Sequence, residues 1–347
     1  MRAALNLVPV VFSLAVTALL IVAVGENPLA VVELIVSGSM GSSAGVATSL
    51  NFAIPLVLCA CGLLATFRAG LYNIHVEGQM MAGAIAASAV ALFVQGLPPA
   101  LTIGLAVAAG AAGGVFSGMI VGILRTRLGV NEIFGGVAMN ALVNLYAIYL
   151  ISGPWQPPQG GSAQATSPFP REVRLGPLSP EFPVNALFVI ITIACVLAVG
   201  WLLNGTVWGL HLKATGRNPR SALLLGVPVQ RSTLTALMVC GALAGLAGAH
   251  RVLFDYHSLR PLVSGGIGFL ALLVVLLTSV RLVWSVAIAL LFAFILAGST
   301  RLKITLQLDP SLTGVLQGLI VLSVLLFKGL RERYFPDRDA EDHSAGA

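Results

Sequence analysis

Charge is scarce in this chain. Of its 347 residues, 9% are Asp, Glu, Lys or Arg, while 57% are hydrophobic. Soluble domains carry about 25% charge, so this composition cannot cover a water-facing surface. The chain has only three lysines, Lys213, Lys303 and Lys328, and they are followed by Ala214, Ile304 and Gly329. A phosphate-binding P-loop needs Gly-Lys-Ser/Thr, so ATP hydrolysis by that mechanism is excluded. No His-Glu-x-x-His stretch occurs, and no residue is read as catalytic. The four cysteines, Cys59, Cys61, Cys195 and Cys240, all lie in apolar runs. Cys59-x-Cys61 has neither zinc-site spacing nor a nearby His, which makes them lone buried thiols, with no metal expected. The formal net charge of +6 is no argument for nucleic acid, because the basic residues are scattered among short loops.

What the chain does have is long apolar runs. Several extend about 18 residues or more, the length that crosses a hydrocarbon core. The fold class is therefore all-α, a polytopic transmembrane bundle whose main solvent is the lipid bilayer. Ten spans are expected, over residues 7–24, 52–67, 76–94, 101–124, 133–151, 184–203, 234–253, 267–280, 284–299 and 312–327. The first lacks a small-residue cleavage site and reads as a retained span. Residues 29–50 read as a short interfacial helix and a loop. Residues 153–182 form a Pro/Gly/Ser/Gln-rich loop, too polar for lipid. One membrane domain thus covers residues 1–335, and 336–347 is a polar tail.

Ten spans place both termini on one side. That side holds Arg2, Arg68, Arg125, Arg127, Lys213, Arg217, Arg220, Arg231, Arg281, Lys328, Arg331, Arg333 and Arg338. The other holds Arg171, Arg174, Arg251, Arg260, Arg301 and Lys303. The more basic side is cytoplasmic, which puts 153–182 outside and 204–232 inside.

The inner loop contains a stretch that reads as a complete short helix, Asn218 to Leu225. Asn218 is an N-cap, its oxygen accepting from first-turn amides. Pro219 suits the first helical position. Gly226 can close the helix in the left-handed conformation, and Pro228 prevents continuation. With Lys213, Arg217 and Arg220 nearby, it reads either as a docking element or as an ordinary basic loop.

Two glycine-containing breaks interrupt the apolar pattern, Gly70–Gln79 and Ser264–Gly268. They fall in corresponding places, so spans 2–5 and 7–10 could be inverted repeats, a pattern that points to a transport pathway. Polar residues within the apolar chain are the pathway candidates: Asn73, Glu77 and Gln79 in the first break, Asn131 at the start of the fifth span, and Asn140 and Asn144 four apart on one helical face. Bland readings stand beside these. Glu77 and Glu132 could cap helix starts, and the asparagines could bond between helices. His75, Asp255 and His257 read as membrane-edge residues.

These residues also carry a family resemblance. Gly70-Leu71-Tyr72-Asn73-Ile74-x-x-Glu77-Gly78-Gln79 resembles a signature of ABC-importer permeases for nucleosides and simple sugars. So do Asn131-Glu132, the stretch Ala214–Ala222 with Gly226, and Gly241–Ala249. The likeness covers roughly residues 7–330, and the extra first span and long outer loop resemble the longer permease of basic-membrane-protein-type nucleoside systems. Two departures are His75, where Gly or Ala is usual, and Ile267, where Arg is usual.

The resemblance implies a transport subunit that is not itself an enzyme. It implies a second permease subunit, a separate ATPase using ATP and Mg, and an extracytoplasmic solute-binding lipoprotein. Gly216, Arg217, Asn218, Pro219, Arg220, Ser221 and Gly226 would form the coupling element in an ATPase groove. The cargo would be a nucleoside. A sugar such as ribose on the same machine, or a secondary transporter using Glu77 or Glu132, are the alternatives.

Overall fold

The computed structural model describes residues 25–94, 96–158 and 164–306, with isolated positions among 15–22 and at 318, 322 and 326. Among these residues there are helices and no strand. In chain order they are α1 (Pro28–Met40), α2 (Ser43–Arg68), α3 (Val76–Phe93), α4 (Pro99–Arg127), α5 (Glu132–Ser152), α6 (Ala186–Gly205), α7 (Val207–Arg217), α8 (Pro219–Leu224), α9 (Val229–His250), α10 (Ile267–Leu277) and α11 (Leu282–Leu306). Two compact units result, one from the described residues of Met1–Gly45 and Phe294–Ala347, the other from Val46–Ala293. In the first, α1 packs where a Cβ on Gly298 would lie 2.7 Å from the Ile35 Cα.

The helix starts follow local chemistry. Asn27, Asn131, Asn185 and Asn218 each accept a first-turn amide with their side chains. Thr206 does the same for α7. Each cap satisfies a donor that has no intrahelical partner.

Seven helices are long and apolar enough to cross a membrane among the described residues, so the expectation of ten is not met there. The spans expected at 7–24 and 312–327 and the tail at 336–347 lie outside the described residues, apart from isolated positions. The eighth expected span, 267–280, is corrected. Its helix, α10, has 11 residues and rises about 16 Å, roughly half a hydrocarbon core. Apolarity alone misled, because a buried half-helix is as apolar as a spanning one. Within residues 29–50 the expected short helix is α1, and the connection after it is brief, since α2 begins at Ser43.

The second unit is organised around α9, which lies against α3 and α4 with glycines at the contact. A Cβ on Gly114 would lie 2.9 Å from the Gly245 Cα, one on Gly245 3.0 Å from the Gly110 carbonyl carbon, and one on Gly248 2.8 Å from the Ala84 nitrogen. On the other flank a Cβ on Gly62 of α2 would lie 2.9 Å from the Cys240 Cα. Helices in lipid gain no hydrophobic drive from associating, so backbone approach through small residues supplies the packing.

The segment between α5 and α6 is held by backbone bonds. Thr166, Phe169 and Leu175 donate to the carbonyls of Leu259, His257 and Leu253 at 3.0, 2.8 and 3.1 Å. Those acceptors follow or belong to a π-turn, Arg251–Tyr256, that extends α9. Arg251 was expected among the loop charges, yet it is buried, donating to Asp255 Oδ2 and Tyr256 Oη at 2.6 Å each. Its cation is neutralised by its own turn, so it carries little weight in setting orientation.

Replacing Gly245 with Leu is expected to cost about 3 kcal/mol by overpacking. Gly104→Leu, where an added Cβ meets nothing within 4 Å, should change stability by less than about 0.5 kcal/mol. Thermal unfolding of the two variants in detergent checks the contrast.

Candidate functional site

The first break begins where α2 stops. Gly70 sits at φ +75. Its amide donates to Phe67 O at 3.0 Å and the Leu71 amide to Thr66 O at 2.9 Å, a Schellman closure that needs the left-handed conformation glycine adopts freely. Residues 71–75 then cross the interior before α3 starts at Val76.

Asn73 organises the crossing. Its oxygen accepts from the His75 amide at 3.1 Å, and its nitrogen donates to Gln79 Oε1 at 3.0 Å and Cys240 Sγ at 3.1 Å. Gln79 in turn donates to Leu237 O at 3.2 Å. The break is thereby tied to α9. Asn73 and Gln79 are both buried.

Asn140 ties it to α5. Its nitrogen donates to Ile74 O at 3.0 Å, which fixes the amide's orientation because a carbonyl only accepts. Its oxygen then accepts from the Gly78 amide at 2.8 Å and from His75 Nδ1 at 2.9 Å. With Nδ1 carrying the proton, Nε2 of the neutral ring accepts from Ser117 Oγ–H at 2.6 Å. His75 is fully buried within the protein. A single imidazole thus joins the break, α4 and α5. The Ser–His–Asn connectivity resembles an activated nucleophile, but the backbone amides around Ser117 are spent inside α4, leaving no oxyanion donor beside it.

Glu77 joins the two breaks. Its oxygens accept from the Gly266 and Gly268 amides at 2.8 Å each, the free donors at the start of α10. The capping expected of Glu77 is there, but the helix capped is α10, not its own. A carboxylate at a helix start is favoured by both the open amides and the dipole. Among the described residues no cation forms an ion pair with it.

The remaining candidates stand apart. Asn131 is exposed and caps α5, accepting from the Ile133 amide at 2.8 Å. Glu132 faces Arg125 at 3.1 Å. Asn144 is half-buried and donates to Asn140 O at 2.9 Å. Next to Ser117 a groove of about 340 Å³ opens between α3, α4 and α5, walled by Phe116, Met139 and Tyr146. No group of three or more His, Cys, Asp or Glu able to hold a metal occurs among the described residues.

Sequence reasoning missed His75, Ser117 and Cys240 as members of this network. It also missed His250, buried with its ring 4.9 Å from Phe188. The departure from family pattern at position 75 was the one available signal.

Between α6 and α9, α7 and α8 meet at Asn218, whose oxygen accepts from the Arg220 and Ser221 amides at 3.1 Å each. Gly226, at φ +80, closes α8 by a second Schellman pair, Val227 N to Ala222 O and Gly226 N to Leu223 O, both 3.0 Å. The expected short helix is thus formed. Leu223, Leu224 and Leu225 are 66, 89 and 82% exposed and Ala222 is buried.

The described chain thus combines several helices long and apolar enough to cross a membrane with a polar-stitched break between two of them and a short helix carrying exposed leucines. The family model described as branched-chain amino acid transport system / permease component matches residues 45–325, and the chain belongs to that family. It is a permease subunit of an ABC transporter, with ATP hydrolysis and further permease function on other subunits. It is 29% identical to the nucleoside ABC transporter permease protein NupB of Lactococcus lactis subsp. cremoris, over 84% of this chain and 82% of that one. It is 27% identical to the guanosine permease NupP of Bacillus subtilis, over 92% and 91%. It is also 27% identical to the glucose permease TsgB13 of Haloferax volcanii, over 97% and 92%. No solved structure matches.

Asn140→Leu strands the Gly78 amide, the Ile74 carbonyl and His75 Nδ1 at once, and should cost about 2 kcal/mol or more. Asn144→Leu removes one bond and should stay within about 0.5 kcal/mol. Thermal midpoints of the purified variants measure the difference.

Proposed function

We propose that this permease imports nucleosides across the cytoplasmic membrane, driven by ATP hydrolysed on its partner. The observation that carries the cargo is the near full-length likeness to permeases named for nucleoside and guanosine transport. A solute-binding lipoprotein delivers the nucleoside outside, and a second permease completes the pathway. Asn73, Glu77, Gln79 and Asn140 shape the wall of that pathway by holding the first break, with Asn144 bonding along α5 to Asn140 and Asn131 fixing the start of α5. Both termini lie in the cytoplasm, on the more basic side of the chain.

Docking of the ATPase falls to α8. Outside the membrane, three consecutive exposed leucines flanked by Arg217 and Arg220 are what a partner groove would cover. A glucose cargo is the second reading, supported by the likeness to the Haloferax permease. The secondary-transporter alternative gains no support: both oxygens of Glu77 hold α10, and Glu132 is paired with Arg125.

The test is uptake of radiolabelled guanosine, adenosine, uridine, ribose and glucose in cells with and without the gene, with and without a protonophore at matched ATP. Nucleoside uptake that needs the gene and survives loss of the proton gradient is expected. Gene-dependent uptake of sugar alone moves the cargo to the second reading, and uptake that collapses with the gradient overturns the energy source. Leu224→Asp should abolish co-purification of the ATPase subunit while leaving the permease folded, since an exposed side chain away from special backbone features costs less than about 0.5 kcal/mol. Normal co-purification would remove α8 as the docking element.

A further inference from the structure

Two backbones meet without a side chain between them where the inner hairpin touches the first break. A Cβ on Gly70 would lie 3.1 Å from the Gly216 Cα, and one on Gly216 would lie 2.9 Å from the Gly70 nitrogen and press on the Arg68 carbonyl. Gly216 is one residue from the end of α7, and Asn218 caps α8 directly after it. The docking helix and this contact therefore belong to one short, capped hairpin. The hairpin's other end is fixed to the same place. Arg68 donates to Leu203 O at 2.6 Å and to Asn204 Oδ1 at 3.0 Å from both terminal nitrogens, joining the end of α2 to the end of α6 just before α7 begins.

The far side of the break has an equally narrow link. Between Gly70 and Glu77 lie six residues, stitched by the Asn73 and Asn140 bonds into a stiff unit. Glu77 then holds the start of α10 by two amides. The Gly268 position is packed against it, since a Cβ there would lie 2.9 Å from the Glu77 Cα and nitrogen. α10 is short, and positive-φ residues bound it, Gly265 and Gly266 before and Ser279 and Val280 after. A helix of this length between two reversals is suited to shift as one body, because the turns absorb the change in backbone angles.

We propose that the Gly216–Gly70 junction passes movement of the docking hairpin into the first break, and that the Glu77 carboxylate hands it on to α10. The role rests on the functional reading above, in which α8 meets an ATPase. In this arrangement Gly216, Gly70 and Glu77 are positioning residues. The absence of side chains at the junction matters, because a flexible side chain there would absorb displacement that two touching backbones must transmit.

The experiment is hydrogen exchange of the peptide spanning 264–270, in the permease purified with its partner subunits in lipid nanodiscs, with and without a non-hydrolysable ATP analogue. The same complex, reconstituted into proteoliposomes, is assayed for uptake and ATP turnover. Exchange at 264–270 is expected to change about tenfold with nucleotide. In Glu77→Gln the nucleotide response at 264–270 should vanish while the response at 219–226 persists. In Gly216→Ala solute moved per ATP hydrolysed should fall about tenfold, with the double variant no worse than the worse single one, because both lie on one route. ATP-driven uptake with no nucleotide response at 264–270 overturns the relay alone, as do additive losses in the double variant. Uptake that proceeds without ATP overturns the functional reading and the relay with it. Wild-type exchange and Glu77→Gln decide the matter independently of Gly216→Ala.

Discussion

Contact between bare backbones is the constraint on which the second unit depends. α9 approaches α3 and α4 so closely that Gly83, Gly110, Gly114, Gly241, Gly245 and Gly248 leave no room for a Cβ. In water such contacts would be a minor addition to hydrophobic burial. In lipid they are a main source of cohesion, because Leu against Leu is no better than Leu against an acyl chain. The polar network is a consequence. With α9 this near, Leu237 O and Cys240 Sγ come within reach of Gln79 and Asn73, and the non-helical segment between α2 and α3 finds partners for its groups.

The two breaks solve the same problem differently. The first satisfies its donors and acceptors with side chains, from Asn73, Asn140, His75 and Ser117. The second relies on the first, since the opening amides of α10 are satisfied by Glu77. Removing Glu77 would leave two donors at the start of one helix without their acceptor, that of Gly268 buried and that of Gly266 part-buried. The dependence is one-way: the 264–268 segment supplies no side chain in return to the described bonds of the first break.

Much of this was legible in the sequence. The all-helical membrane class followed from charge content, and α3 to α6 fell within a few residues of the expected spans. Asn218, Pro219, Gly226 and Pro228 spelled out α8 because capping is local chemistry that a few adjacent residues encode. Three things were not legible. The length of α10 was hidden, as apolar runs look alike whether they cross lipid or end in a protein interior. The partner of Glu77 was hidden, since a carboxylate near its own helix start gives no sign that it caps a helix 189 positions away. The partners of His75 were hidden, since Ser117 and Asn140 lie on two other helices and come to its ring only in the fold.

The way the Glu77 carboxylate is held limits how α10 can move. Here Ile267 is apolar and buried, and the negative charge is met by two amides and the start of a helix. That arrangement is directional: it holds as long as α10 points its N-terminus at Glu77 and is lost if the helix tilts away, leaving a buried charge uncompensated. A salt bridge to a flexible guanidinium could follow such a tilt, whereas fixed amides cannot. In the proposed relay Glu77 therefore registers the position of α10, because both of its oxygens are engaged by the start of that helix.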